Sequence, residues 1–323
     1  MKKFSVFIWD NNEYDFPMSC GFVPHITGYL HESDTSLPGI LIFPGGGFCN
    51  VSPTEAEIVA LKFCHLGFQA FVLTYTVNPL SLTPSGRQSI QDAARAIRLL
   101  RKHSADYNLI PSEIAVCGFS AGGHLCASLA VHADSLKDSN TALNSVSCRP
   151  DALILGYPVI TLENQPYQHD FCERLGVSSQ EELLYWCPEK HVSKSTPPSF
   201  IWHTATDSLI SVRNSLLFAD ACQNNGVPYS LHIFSSGEHG MSTADEDWSA
   251  GHLGDPYATL SQLTALLSAA RKDPSLLSEE QTSTLVQRIQ ENTTFPNPWI
   301  GAPNPEVAVW PQLAAEFLKQ QEN

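Results

Sequence analysis

A chain of 323 residues, 43% hydrophobic and 16% charged, can bury one large core, and 10% aromatics with 22 dispersed prolines exclude disordered, coiled-coil and fibrous classes. Eighteen Lys and Arg against 33 Asp and Glu give a net charge of −15, which repels phosphate backbones and anionic lipid and argues against nucleic-acid or membrane partners. Nine cysteines, an odd number without a CxxC pair, read as reduced thiols packed like small hydrophobes.

The chain opens on Met1-Lys2-Lys3 and an apolar run from Phe4 to Trp9, closed by Asp10. That run is too short for a signal-peptide core, and nothing later approaches a membrane span, so the expected location is the cytoplasm. Short apolar runs then alternate with helical patterns, as in a parallel sheet covered on both faces. Strands are predicted over residues 26–31, 39–43, 70–74, 114–117, 152–155, 199–204 and 229–234. A helix is predicted to start with Ser52 as N-cap and Pro53 at its first position, and further helices over 89–103 and 121–132. Residues 161–198 show no clean period and are expected to pass over the sheet as a cap-like excursion. After Gly251 the pattern is helical only. Leu260, Leu263, Leu266 and Leu267 form one face, Asp273-Pro274 ends it, and Leu285, Val286 and Ile289 form a second. A proline-rich loop over 295–305 precedes a last helix carrying Leu313 and Phe317. The expectation is an α/β fold in a single domain, 1–323, with a helical insertion over 252–303.

Gly118-Phe119-Ser120-Ala121-Gly122 is a G-x-S-x-G placed between a predicted strand and a predicted helix, the setting a nucleophile elbow requires. The glycines allow the tight turn, and the helix N-terminus favours a developing anion beside Ser120. A serine needs a base. Of twelve histidines, His203 and His232 fall inside strands and His65, His103 and His132 on helices. His239, in Gly237-Glu238-His239-Gly240, follows the last strand on a loop at the carboxyl edge of the sheet, where ligands bind in open α/β folds. Asp207 follows the strand over 199–204 on the same edge. Glu238 and Asp245 are rival acids too close in sequence to the histidine for easy geometry. The order Ser120, Asp207, His239 is that of α/β-hydrolases. Pro44-Gly45-Gly46-Gly47 follows the strand over 39–43 and suits an oxyanion hole, with donors expected from Gly46, Gly47 and Ala121 and Gly45 as an undecided neighbour. No lysine follows these glycines, so they do not read as a phosphate loop.

The segments PGGGF, Glu55-Ala56-Glu57, GFSAGGH, the strand ending in Gly156-Tyr157-Pro158-Val159-Ile160-Thr161, TPPSFIWHT and EHG resemble one family. It is the esterase/lipase group of α/β-hydrolases that contains bacterial acetyl-xylan and related carbohydrate esterases, relatives of the hormone-sensitive-lipase-like esterases. The resemblance spans roughly residues 25–250 and the closing helix from Asn304. It implies a mostly parallel central sheet with helices on both faces and a serine carboxylesterase for short acyl groups, often acetyl on a sugar. Its triad carries over onto Ser120, Asp207 and His239. Pro44 departs from the histidine that begins the hormone-sensitive-lipase glycine loop, and residues 252–303 have no counterpart in the pattern.

The expected substrate is a small-molecule or oligosaccharide ester, with no metal and no organic cofactor required. Phe48, Asn78 and His124 are candidate substrate contacts, His124 being alternatively a buried structural histidine. Tyr185 and Trp186 either stack on a sugar or pack the excursion down. The helices after Gly251 either shield the pocket or form a homodimer contact. A serine peptidase or an intracellular amide or formamide hydrolase on the same fold is the alternative reading.

Overall fold

The computed structural model describes residues 1–10, 13–32 and 35–321. Among these residues, eight strands form one sheet: β1 (Lys2–Phe7), β2 (His25–Leu30), β3 (Leu37–Phe43), β4 (Gln69–Thr74), β5 (Leu109–Phe119), β6 (Ala152–Gly156), β7 (Ser199–Thr204) and β8 (Tyr229–Phe234). Their order is β1-β2-β4-β3-β5-β6-β7-β8, parallel from β4 to β8, with β1 and β2 added antiparallel at one edge. The sequence pattern located seven of these strands. It missed β1, whose side chains are nearly all exposed, because an edge strand with both faces wet carries no period to read.

Among the described residues, ten α-helices connect and cover the sheet. In chain order they are α1 (Glu57–His65), α2 (Gln88–Lys102), α3 (Ala121–His132), α4 (Gln168–Leu175), α5 (Gln180–Tyr185), α6 (Arg213–Asn225), α7 (Glu246–Ser249), α8 (Ser261–Lys272), α9 (Glu279–Thr293) and α10 (Trp310–Gln321). Alternation along the strands sends neighbours to opposite faces. Leu41 and Phe43 join the core beneath α2, α3, α6, α8 and α9, whereas Ile40 and Ile42 join the core beneath α1 and α10.

Two local readings change. The helix expected from Ser52 is interrupted: Pro53–Glu55 form a single 3-10 turn, and α1 starts only at Glu57. Ser52 makes no side-chain cap, because its hydroxyl meets that of Thr54 at 2.9 Å, and Glu55 turns inward. The excursion over 161–198 is not featureless, since it holds α4 and α5. All nine cysteines are unpaired thiols, and six of them, Cys117 among these, are buried. Among the described residues no helix is long and apolar enough to cross a membrane.

Candidate active site

β5 runs into α3 through Ser120, whose backbone adopts φ 51° and ψ −119°. A non-glycine residue there is strained and is held by its surroundings. The Ser120 amide donates to the Gly156 carbonyl (3.1 Å), and the Ser120 carbonyl accepts from Val159 (3.1 Å) and His124 (3.0 Å). The flanking glycines are required by contact: a Cβ on Gly122 would lie 2.0 Å from the Phe43 carbonyl oxygen, and one on Gly118 would lie 2.4 Å from that of Gly122. The elbow and the glycine loop after β3 are therefore packed backbone to backbone.

The structure brings Ser120, His239 and Asp207 together. Ser120 Oγ lies 2.9 Å from His239 Nε2, and His239 Nδ1 lies 2.7 Å from Asp207 Oδ2. Asp207 Oδ1 accepts the amides of Leu209 (3.0 Å) and Ile210 (2.8 Å). Burial pushes the Asp207 carboxyl up, but the hydrogen bonds from His203 and His239, with the amide of Ile210, outweigh it and hold the group well below the usual carboxylate range. His203 was passed over in the sequence as a strand residue. It is fully buried, and its Nε2 reaches Asp207 Oδ2 at 3.2 Å and the Ile210 carbonyl at 2.9 Å, while Nδ1 meets the Ser215 hydroxyl at 2.8 Å. The rival acids are engaged elsewhere: Glu238 accepts from Ser208, and Asp245 pairs with Lys62 at 2.6 Å and caps α7.

The glycine loop stands beside Ser120. The amides of Gly46, Gly47 and Ala121 donate to no acceptor among the described residues and are free to bind an oxyanion. Gly45 is different, since its amide is committed to Glu55 Oε2 at 2.7 Å. The loop is tied from behind as well, where the Tyr75 hydroxyl donates to the Pro44 carbonyl at 2.7 Å.

A cavity of about 340 Å³ opens over Ser120 and His239. Phe171 and Arg174 of α4 form one wall, and Arg288 and Asn292 of α9 form another. Arg174 Nη1 donates to the Gly47 carbonyl at 2.9 Å, and the Arg288 guanidinium donates to the Pro79 carbonyl. Leu209 and Trp299 stand at the mouth, 53% and 46% exposed. The segment over 252–303, unplaced from sequence, thus supplies part of the site wall.

Three expected substrate contacts do not reach this cavity. Phe48, at φ 57°, is turned under the loop and fully buried, edge-on to Tyr75, His124 and Phe171. Asn78 lines a separate crevice of about 10 Å³, where its Oδ1 accepts the Thr83 amide at 3.2 Å. His124 is fully buried, with Nε2 2.8 Å from the Trp186 carbonyl, and burial pushes its pKa down to about 4. It is a neutral structural histidine. Tyr185 and Trp186 likewise pack the excursion down: Tyr185 is sandwiched between His132 (3.8 Å) and the Arg87 guanidinium (3.2 Å), and Trp186 is buried. Helix orientation and backbone turn decide these placements, and neither is written in residue type.

The BD-FAE family model matches residues 29–222. The chain is 40% identical over 259 residues to endo-1,4-beta-xylanase B of Butyrivibrio fibrisolvens, covering 80% of this chain and 41% of that protein. It is 27% identical over 249 residues to the acetylxylan esterase of Xylanibacter ruminicola, covering 74% and 46%. It therefore spans less than half the length of either curated relative. An acetyl ester-xyloside bifunctional hydrolase from Caldicellulosiruptor lactoaceticus superposes with a TM-score of 0.68 at 37% identity, covering 80% of this chain and 96% of that one. A carboxylesterase from Lactobacillus plantarum, at 21% identity and TM-score 0.68, shares the fold over 100% of this chain and 98% of its own. The sheet order, the strand-to-helix elbow and these likenesses place the chain in the α/β-hydrolase fold, and the match over 29–222 makes it a member of the BD-FAE family.

Proposed function

We propose that the chain is a serine ester hydrolase that removes short acyl groups, acetyl foremost, from a sugar or oligosaccharide. The observation that carries this reading is the hydrogen-bonded line from Ser120 Oγ through His239 to Asp207. His239 Nε2 takes the Ser120 proton as Oγ attacks the ester carbonyl, and the Gly46, Gly47 and Ala121 amides receive the oxyanion. The imidazolium gives its proton to the leaving alcohol, an acyl-Ser120 remains, and water activated by the same imidazole releases the acid. Asp207 orients the imidazole and stabilises its charged form.

The substrate class draws support from the cavity and from relatives. A volume of about 340 Å³, walled by Arg174, Arg288, Asn50 and Asn292, favours a small acyl group on a hydroxylated alcohol. Trp299 and Leu209 at the mouth offer an apolar face for a sugar ring. The acetylxylan esterase and the acetyl ester-xyloside hydrolase among the similar proteins act, by their names, on such esters.

The test compares acetylated xylo- and manno-oligosaccharides with aryl acetates, butyrates and octanoates, in the parent and in Ser120→Ala. The expected result is preference for the acetylated oligosaccharides and the shortest acyl group, with Ser120→Ala slower by at least ~10³-fold and still folded. Substantial turnover in that variant overturns the nucleophile. Faster cleavage of octanoate than acetate, or of a dipeptide naphthylamide than either, overturns the substrate class.

A further inference from the structure

Glu55 is an acid buried in the site without a cationic partner. It is 4% exposed, borders the cavity with Ser120 and His239, and makes no ion pair with a lysine or arginine among the described residues. Both of its oxygens accept from neutral donors, Oε2 from the Gly45 amide and Oε1 from the Tyr157 hydroxyl, each at 2.7 Å. The first bond grips the loop that presents Gly46 and Gly47. The second reaches the histidine loop, because Tyr157 Oη accepts the Ser242 amide at 3.0 Å and the Tyr157 ring lies edge-on to the His239 imidazole, centroids 4.9 Å apart. One carboxylate therefore joins the two loops that must act in concert.

A buried charge without a counter-ion weakens a fold, and glutamine would fill the same space more cheaply. Burial raises the Glu55 carboxyl above the ordinary value, and the hydrogen bonds from Tyr157 and Gly45 with the field of His239 offset this only in part. The titratable groups that share a field with Glu55 are Tyr75 after β4, Cys117 on β5, Tyr157 after β6 and His239 after β8. Burial raises both phenols and the thiol, so these stay neutral through the working range. The imidazole alone acquires positive charge during turnover, with Asp207 already at its Nδ1.

We propose that Glu55 is a positioning residue of the hydrolysis, setting the oxyanion loop against the histidine loop and supplying a second counter-charge to the imidazolium formed at His239. This rests on the triad reading given above. No bond forms to Glu55: the Ser120 proton passes to His239 Nε2 and then to the leaving alcohol, while the carboxylate keeps its two donors throughout.

The experiment measures kcat, KM and melting temperature for Glu55→Gln, Tyr157→Phe and the double variant on p-nitrophenyl acetate across pH. In Glu55→Gln we expect kcat to fall about 10- to 100-fold with KM within about threefold. The melting temperature at pH 7 stays equal to the parent's or rises. The acid limb of kcat/KM moves to lower pH by about half a unit or more, because a negative charge beside the imidazole is gone. The double variant is no worse than Glu55→Gln by more than about twofold, as for residues on one path. Parent-like or raised kcat, an unmoved acid limb, or a melting temperature that falls in step with activity overturns the proposal. Should Glu55→Gln not fold, Tyr157→Phe carries the test, and an unchanged kcat there overturns it. Parent-like kcat in Glu55→Gln beside an inactive Ser120→Ala fails this inference alone, whereas turnover in Ser120→Ala fails the triad reading.

Discussion

Four donors converge on Asp207: His239 Nδ1, His203 Nε2 and the amides of Leu209 and Ile210. An asparagine cannot accept on all four, and its amide group would force the wrong tautomer on one of the imidazoles. Asp207→Asn should reduce kcat by about 10³- to 10⁴-fold in a chain that still folds. It should also lower stability, with a definite pH dependence. The folded-state pKa of Asp207 lies below its unfolded value, so its stabilising contribution is complete above the ordinary carboxylate pKa and fades as the pH falls through the folded value. Urea midpoints of parent and variant should differ most near neutrality and converge in acid; divergence toward acid would contradict the assignment. Ser120, Asp207 and His239 were legible because each follows a recognisable strand on the same sheet edge. Glu55 was not, because its partners Gly45 and Tyr157 stand 10 and 102 residues away and meet it only in the folded chain. Its one sequence signal was membership of the Glu55-Ala56-Glu57 segment. Glu57 of that segment faces outward to Lys3 at 2.7 Å.

Among elements, the joint between α3 and the loop after β3 has the least tolerance. Gly122 lies against the carbonyl oxygens of Phe43 and Pro44, which would sit 2.0 and 2.6 Å from an added Cβ. Backbone cannot yield there without moving the Gly46 and Gly47 amides. Gly122→Ala should therefore cost more than about 3 kcal/mol and abolish turnover together, read by denaturant melts and ester assay. Full activity with parent stability would mean that the joint is looser than these contacts require. The elbow was readable because its glycines stand at the spacing that the turn imposes. The site wall made by α9 was not, because amphipathic periodicity reports which face of a helix is buried and not what it is buried against. Leu285 and Ile289 predicted the helix correctly, while the polar residues Arg288 and Asn292, the latter buried on the same face as these two, were among those that met the cavity.

On the scale of the whole molecule, the net charge of −15 suits the neutral esters proposed as substrates, and the cations it leaves are used with care. Arg95 on α2 is 2% exposed, bonded to Asp138 and Glu13 and stacked over Trp9 with 3.8 Å to the ring centroid. Asp138 is itself buried, and Arg98 stands 3.9 Å from it. Removing the guanidinium strands a carboxylate, so Arg95→Ala should cost about 3–5 kcal/mol. Because Arg95 does not border the active-site cavity, the folded fraction should keep parent kcat at a permissive temperature. A melting temperature within a degree or two of the parent's would show that Asp138 finds compensation elsewhere. The parallel direction of most strands followed from the alternation of apolar runs with helices, whereas the placing of β4 outside β3 did not. The antiparallel edge did not, since β1 is recognisable only by the partner it pairs with.

The histidine loop is held by a segment synthesised well after it. The Trp310 indole donates to the Ser242 carbonyl at 2.8 Å, the Asn304 amide to the Ala244 carbonyl at 2.8 Å, the Asn304 side chain to the Ser236 carbonyl at 2.9 Å, and Glu306 accepts from Ser235. Ser120, Asp207 and His239 have all been synthesised before these clamps exist. A nascent chain can thus complete its sheet and still lack a seated His239, so catalytic competence waits on the arrival of residues 304–310 rather than on the sheet.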